Sequence, residues 1–344
     1  MLQGPADALG RIGLLGAIAI FANLGALGNE PAIAKPKYVA INLGLAVATE
    51  PLAINAHNDV AGSYQNDLGV MVGFVRYADG HVKTIDFNNA AHTWVYGINK
   101  HREICGSYNT HGFEGNSHGF VRFRDGTITK FDPSGSGSTF VFGINDSGVV
   151  VGYYGSSMSH GFIRGADGAI TTFDPDGSTD TYARSINATN AVTGSYTDVN
   201  GTYHGFVRAP DGTITTFDPA GSTATTTSQI IDDGTIVGTY SAGNASRPYV
   251  RTPDGTITEF DPFDSDEAQA KGINAAHDIV GFYQDADQYQ WHGYVMNSAG
   301  TIKSVDMPGA PTSYSTAINS RGAIIGTYAI GSGAFAGYLR LRRR

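Results

Sequence analysis

The apolar positions of this chain fall in short runs of strand length, each closed by a polar turn, and one order of runs returns seven times. A unit reads Ile-Asn, a short turn, Gly-x-Tyr, a variable stretch, His-Gly-Phe-Val-Arg, Asp-Gly-Thr-Ile-Thr, Phe-Asp-Pro, with local substitutions. Anchored on the glycine of His-Gly-Phe, the units fall at Gly73, Gly119, Gly161, Gly205, Pro248, Gly293 and Gly337, so 264 residues over six intervals give a mean period of 44. Helical repeats of that length need 3.6-residue periodicity and little glycine, whereas four short strands per unit fit a propeller blade.

The distances inside a unit are more regular than the period. From the Ile of Ile-Asn to the Tyr of Gly-x-Tyr the step is always 10, as in Ile144 to Tyr154. From the Gly anchor to the Asp of Phe-Asp-Pro it is always 13, and from that Asp to the next Ile always 12. All length variation therefore lies between Tyr and the Gly anchor. Naming the strands A to D in chain order, A carries Ile-Asn, B Gly-x-Tyr, C Gly-Phe-Val and D Ile-Thr-x-Phe-Asp. The Asp-Gly pairs, such as Asp211-Gly212, predict a two-residue type I′ turn between C and D. That turn would set Phe206 opposite Phe217, Phe162 opposite Phe173, Phe120 opposite Phe131 and Gly205 opposite Asp218.

The two ends fit together. Counting back 12 from Ile54 reaches Asn42, so residues 38–42 align with a D strand that has no A, B or C strand before it. Thirteen beyond Gly337 lies past the last residue, so the seventh unit lacks a D strand of its own. The expected architecture is one all-β, seven-bladed β-propeller of four-stranded blades over residues 35–344. Residues 38–42 complete blade 7 and close the ring without an unpaired edge.

Three segments carry a resemblance: His118-Gly119-Phe120-Val121-Arg122, residues 144–152 (INDSGVVVG), and residues 211–218 (DGTITTFD). They resemble the HAF-type extracellular repeats of bacteria over about residues 38–341. The resemblance implies an exported, propeller-like protein and brings no activity with it. Gly stands here for the Ala of the name-giving triplet, and Val72, Arg247 and Ala336 replace its His in three units.

Export is also written at the start of the chain. Residues 12–27 are an apolar run preceded by Arg11 and followed by Ala32-Ile33-Ala34, a small-x-small cleavage pattern, which predicts a signal peptide over residues 1–34. The run is shorter than the roughly 20 residues of a membrane span and Asn23 interrupts it, so the mature protein is expected to be secreted or periplasmic. A net charge of −9 gives no footprint for a phosphate backbone, which excludes nucleic acid as the expected partner. A single cysteine, Cys105, rules out an intrachain disulfide and a thiolate zinc cluster. It occupies a repeat position held elsewhere by small hydrophobes such as Ala61 and Val151, which predicts a buried packing role.

Two kinds of position carry polar chemistry. The Tyr, His and Asp that recur near one face suit a repeated hydrogen-bond set that pins the blades, with a ring of equivalent weak sugar sites as the sharper alternative. One Asp and one His per blade are too few ligands for a metal site, and neither metal nor cofactor is expected. A single centre should instead break the symmetry, and it does so just before each Ile, at the mouth of the central channel. Glu50, Trp94 and Tyr182 stand four residues before it, Arg184 and Lys271 two before, His92 and Glu267 six before, with Trp291 added from the longer sixth B–C loop. Aromatic platforms beside charges predict binding of an extracellular glycan or protein on the face of the B–C and D–A loops, by a monomer. The alternative is a polysaccharide lyase or glycoside hydrolase using Glu50 with Glu267, or His92 with Arg184.

Overall fold

The computed structural model describes residues 37–342 apart from 45, 88–89, 112–114 and 332. The expected signal peptide lies outside the described residues. The described residues form 28 strands and no helix. In each unit the strands pair antiparallel in the order A-B-C-D, and the inner A strands are Ala48–Ile54, His92–Ile98, Ser138–Ile144, Ser178–Ile186, Ala224–Ile230, Ala268–Ile273 and Ser313–Ile318. Units 2 to 6 are separate four-stranded sheets, while units 1 and 7 share an eight-stranded sheet through one parallel pair, Ala48 with Phe335. The first strand, Lys37–Ile41, runs antiparallel along the last C strand, Ala334–Leu341, with Ile41 opposite Gly337. Gly73 opposite Ile85 and Gly205 opposite Phe217 show the same register, so the first strand sits on its neighbour as a D strand does.

The C–D hairpins correct the expected turn by one residue. Gly205 faces Phe217 and Phe206 faces Thr216, because Ala209 pairs with Thr213 and leaves a three-residue loop of Pro210, Asp211 and Gly212. A type I′ turn needs φ above zero at both central residues, but only Gly212 adopts it, at +97°. The result is a type I turn followed by a left-handed glycine. Opposed aromatics are therefore not the device within a hairpin. The D-strand ring instead meets the C-strand ring of the next unit edge-on: Phe131 with Phe162, Phe173 with Phe206 and Phe217 with Tyr249, at 5.9, 5.8 and 6.2 Å. The C-strand arginine of that next unit lies over the same ring, with Arg164, Arg208 and Arg251 at 5.0, 5.2 and 4.8 Å. Each aromatic pair adds about 0.5–1.5 kcal/mol beyond area burial. Phe74, Phe120, Phe162, Phe206, Tyr249, Tyr294 and Tyr338 are fully buried. Cys105 is buried in the core beside Val121 and Val141, as its repeat position predicts.

A second tie joins the units through the asparagine of Ile-Asn. Its Oδ1 accepts the backbone N–H groups two and four residues on, as Asn55 does from His57 and Asp59. Its Nδ2 donates to the carbonyl of the matching residue one unit later: Asn55 to Asn99, Asn99 to Asn145, Asn145 to Asn187, Asn187 to Ile231 and Asn274 to Asn319. Asn319 then donates to Asn55 at 2.8 Å, joining the last unit to the first. Ile231 has no amide to pass the chain of bonds on. There Gln229 Oε1 accepts the Ile273 N–H and the His277 ring meets Asp233, so units 5 and 6 are tied by other groups.

Candidate functional site

Every A strand breaks register with its B strand two residues before the Ile, so Leu52, Tyr96, Phe142, Arg184, Ser228, Lys271 and Thr316 are each the extra residue of a β-bulge. A bulge re-aims a side chain. All seven of these residues line one cavity of about 230 Å³ enclosed by the A strands. The bulge also explains the glycine of Gly-x-Tyr. A Cβ on Gly194 would lie 2.2 Å from the Tyr182 carbonyl oxygen and 2.7 Å from the Phe206 ring, and the six equivalent glycines are equally tight. The sequence thus places a glycine on strand B so that strand A can kink inward.

The lining contains two cations, Arg184 and Lys271, and no acid. The Arg184 guanidinium lies 4.4 Å over the Phe142 ring and 5.9 Å from that of Tyr153, and the Lys271 ammonium lies 5.3 Å over Phe282. Among the described residues neither headgroup has a carboxylate partner. Burial, and secondly the charge of Arg184, push the Lys271 amine down to about 8. Glu50, four residues before its Ile, reaches solvent yet is ringed by protein, and this burial raises its carboxyl with no contribution from Glu267. Burial raises the Tyr96 hydroxyl, with Tyr153 and Glu50 adding to the rise and Arg184 opposing it.

Aromatic rings extend from the cavity along two arcs. In the first, Tyr96 meets Phe142 at 4.7 Å, Phe142 stacks on Tyr153 at 5.5 Å, Tyr153 meets Tyr182 edge-on at 5.0 Å, and Tyr182 stacks on Tyr203 at 6.1 Å. Burial, with Asp180 next, pushes the Tyr182 hydroxyl up to about 12. In the second, Phe282 meets Trp291 at 5.3 Å and Tyr314 at 5.0 Å. Trp291 is the first residue of the C strand Trp291–Met296, paired with Gln284, and not part of the preceding loop. Trp94 is half-buried and stacks at 5.4 Å on His92.

Arg184 and Lys271 are thus brought together, with Tyr182 joined to them through Tyr153. His92 and Glu267 do not line that cavity. The His92 side chain is buried, its Nδ1 accepts the Met71 N–H at 3.0 Å, and burial lowers its pKa. Ser138 and Asp180, at the same repeat position, accept the Ser117 and Ser159 N–H groups, so this row pegs the start of the preceding C strand. Glu267 bridges Ser246 through its backbone, and its carbonyl accepts the Gln284 N–H. Tyr153, Tyr203 and Phe282 were not singled out from the sequence. The x of Gly-x-Tyr is Ser or Thr in five units and Tyr153 or Phe282 in the other two, which is the signal that marks those two; no repeat position marks Tyr203.

The recurring Tyr, His and Asp do meet. His118, His160 and His204 Nδ1 lie 2.8, 2.7 and 2.7 Å from Asp132, Asp174 and Asp218, and each imidazole leans on the Tyr of its B strand. Thr139 and Thr225 of the next A strands donate to Asp132 and Asp218. Where Arg247 replaces His it pairs with Asp261 at 3.1 Å. The contacts run from strand to strand and from unit to unit, as a structural hydrogen-bond set requires.

No protein-family model matches the chain, and no curated protein matches it. Solved structures do. A catalytically inactive virginiamycin B lyase from Staphylococcus aureus, determined with quinupristin, is 15% identical with a TM-score of 0.61, over 90% of this chain and 100% of that one. The β-propeller domain of the Trilobed protease from Pyrococcus furiosus is 11% identical with a TM-score of 0.57, over 86% of this chain and 96% of that one. With the repeated four-stranded sheets, these likenesses show the fold: the chain is a β-propeller. Among the described residues no helix is long and apolar enough to cross a membrane.

Proposed function

We propose that the chain is an exported, monomeric, seven-bladed propeller of the HAF-repeat type that binds an extracellular glycan or protein where the A strands enter the central cavity. The strand Lys37–Ile41, in D-strand register on the seventh unit, and the Asn319–Asn55 hydrogen bond support closure of seven blades into one ring. The observation that carries the functional reading is the bulge row. The backbone there repeats seven times, yet its side chains are aliphatic, aromatic, cationic or hydroxylic by turns. A purely structural row has no reason to vary so widely at one conserved geometry. Saccharide-array binding by the purified protein, abolished in the Tyr182→Ala and Trp94→Ala variants, is the expected result. An array without ligands, from protein with native β-sheet circular dichroism, would turn the reading toward a structural surface protein.

A second reading, a polysaccharide lyase or hydrolase, is favoured by one observation. The Lys271 amine, which lines the cavity, is lowered to about 8, which moves a base toward working range, while the raised Glu50 carboxyl lies outside that lining. Turnover of an oligosaccharide that disappears in Lys271→Met and Glu50→Gln, with substrate still bound, would establish it. Binding without turnover would remove it.

A further inference from the structure

Among the described residues the bulge row holds two cations without a carboxylate partner, in a chain that carries 31 acidic residues and a net charge of −9. Lys271 is half-buried, and a positive charge there is unfavourable unless a ligand supplies the counter-charge, while Arg184 beside it is exposed and open to one. We propose that Arg184 and Lys271 form an anion subsite that takes the carboxylate of one acidic sugar residue at the end of the central cavity. The proposal rests on the binding reading above and names its ligand class.

The geometry favours a planar oxyanion attached to a ring. The face of the Arg184 guanidinium is spent on Phe142 and Tyr153, which leaves its N–H edges for a bidentate carboxylate. Lys271, held over Phe282, approaches from two units further round the ring as a point charge. Beside them Tyr96 lines the same cavity and brings an aromatic ring to a bound pyranose. A cavity of about 230 Å³ is smaller than the ~300 Å³ lower bound of drug-sized sites, so a single terminal residue enters while the rest of the chain lies across the mouth.

Isothermal titration of the full mature protein with galacturonate, galactose, sulfate, phosphate and an acetylated peptide with a free carboxylate separates the sources of the anion. The expected order is galacturonate at least tenfold tighter than each of the others. Arg184→Gln and Lys271→Met are each expected to lose at least tenfold for galacturonate, and wild-type affinity should fall above pH 8 while that of Lys271→Met stays flat. Equal affinity for galactose and galacturonate, or an unchanged Arg184→Gln, overturns the anion subsite. If neutral oligosaccharides still bind and Tyr182→Ala abolishes that binding, the parent reading survives the loss. Preference for the peptide, sulfate or phosphate overturns the sugar acid as the ligand, and absence of all binding overturns both.

Discussion

Replacing Lys271 with methionine should make the protein more stable at neutral pH. The substitution removes the ammonium and keeps an unbranched stem that still covers Phe282. The amine is lowered from 10.5 to about 8, and at about 1.4 kcal/mol per pH unit the folded state carries a penalty of roughly 3 kcal/mol for holding the charge. The lost contact with Phe282, 5.3 Å away, returns about 1 kcal/mol of that, leaving a net gain of about 2 kcal/mol. Because the folded amine gives up its proton more readily than the unfolded one, the penalty is complete below pH 8. It fades as pH rises and is gone above 10.5, where the amine is neutral in both states. Urea denaturation of wild type and variant at pH 7 and again near pH 10.5 reads this directly. The expected result is a higher midpoint for the variant at pH 7 and near coincidence at high pH. A variant less stable at pH 7, or one whose advantage is the same at both pH values, would refute the reasoning.

Asp59 behaves in the opposite sense. Burial alone would raise its carboxyl, but hydrogen bonds from Arg102, Asn55 and the Ala78 N–H outweigh it and hold the pKa below 3.8. Asp59→Ala should cost about 3 kcal/mol at pH 7, because it strands those donors. In wild type this contribution is present above the unfolded carboxylate pKa and is lost as pH falls through the folded value, so acid titration of wild type and variant should converge. Gly194→Ala should cost at least about 3 kcal/mol in chemical denaturation, since its Cβ would lie 2.2 Å from the Tyr182 carbonyl oxygen. Gly212→Ala, at φ +97° in an open turn with Arg208 Nη2 3.4 Å away, should cost only about 1 kcal/mol.

Much of this was written along the chain. The fixed steps of 10, 13 and 12 residues locate every strand within a residue or two, and the Asn42 count places the first strand where it pairs with the last C strand. The row two residues before each Ile, with Arg184 and Lys271 in it, is the row that lines the cavity. What escaped is what depends on a partner strand. Asp-Gly fits both a two-residue and a three-residue hairpin, and only the backbone angle of Asp211 decides between them, so the register slipped by one and the Phe206–Phe217 pairing with it. Spacing along one strand cannot show that Phe217 serves Tyr249 of the next unit. His92 and Glu267 stand near the channel mouth in sequence, but at the entry to a strand a side chain or backbone group is claimed first by the unpaired N–H groups beside it.

The central claim, that the cavity mouth with Arg184 and Lys271 is where this propeller meets its ligand, is tested most directly by a crystal structure with a short oligogalacturonate. The account predicts one terminal carboxylate within hydrogen-bond distance of both the Arg184 guanidinium and the Lys271 ammonium, its ring against Tyr96. Saccharide bound instead at the repeated Tyr, His and Asp positions around the rim, with the cavity holding only solvent, would contradict it.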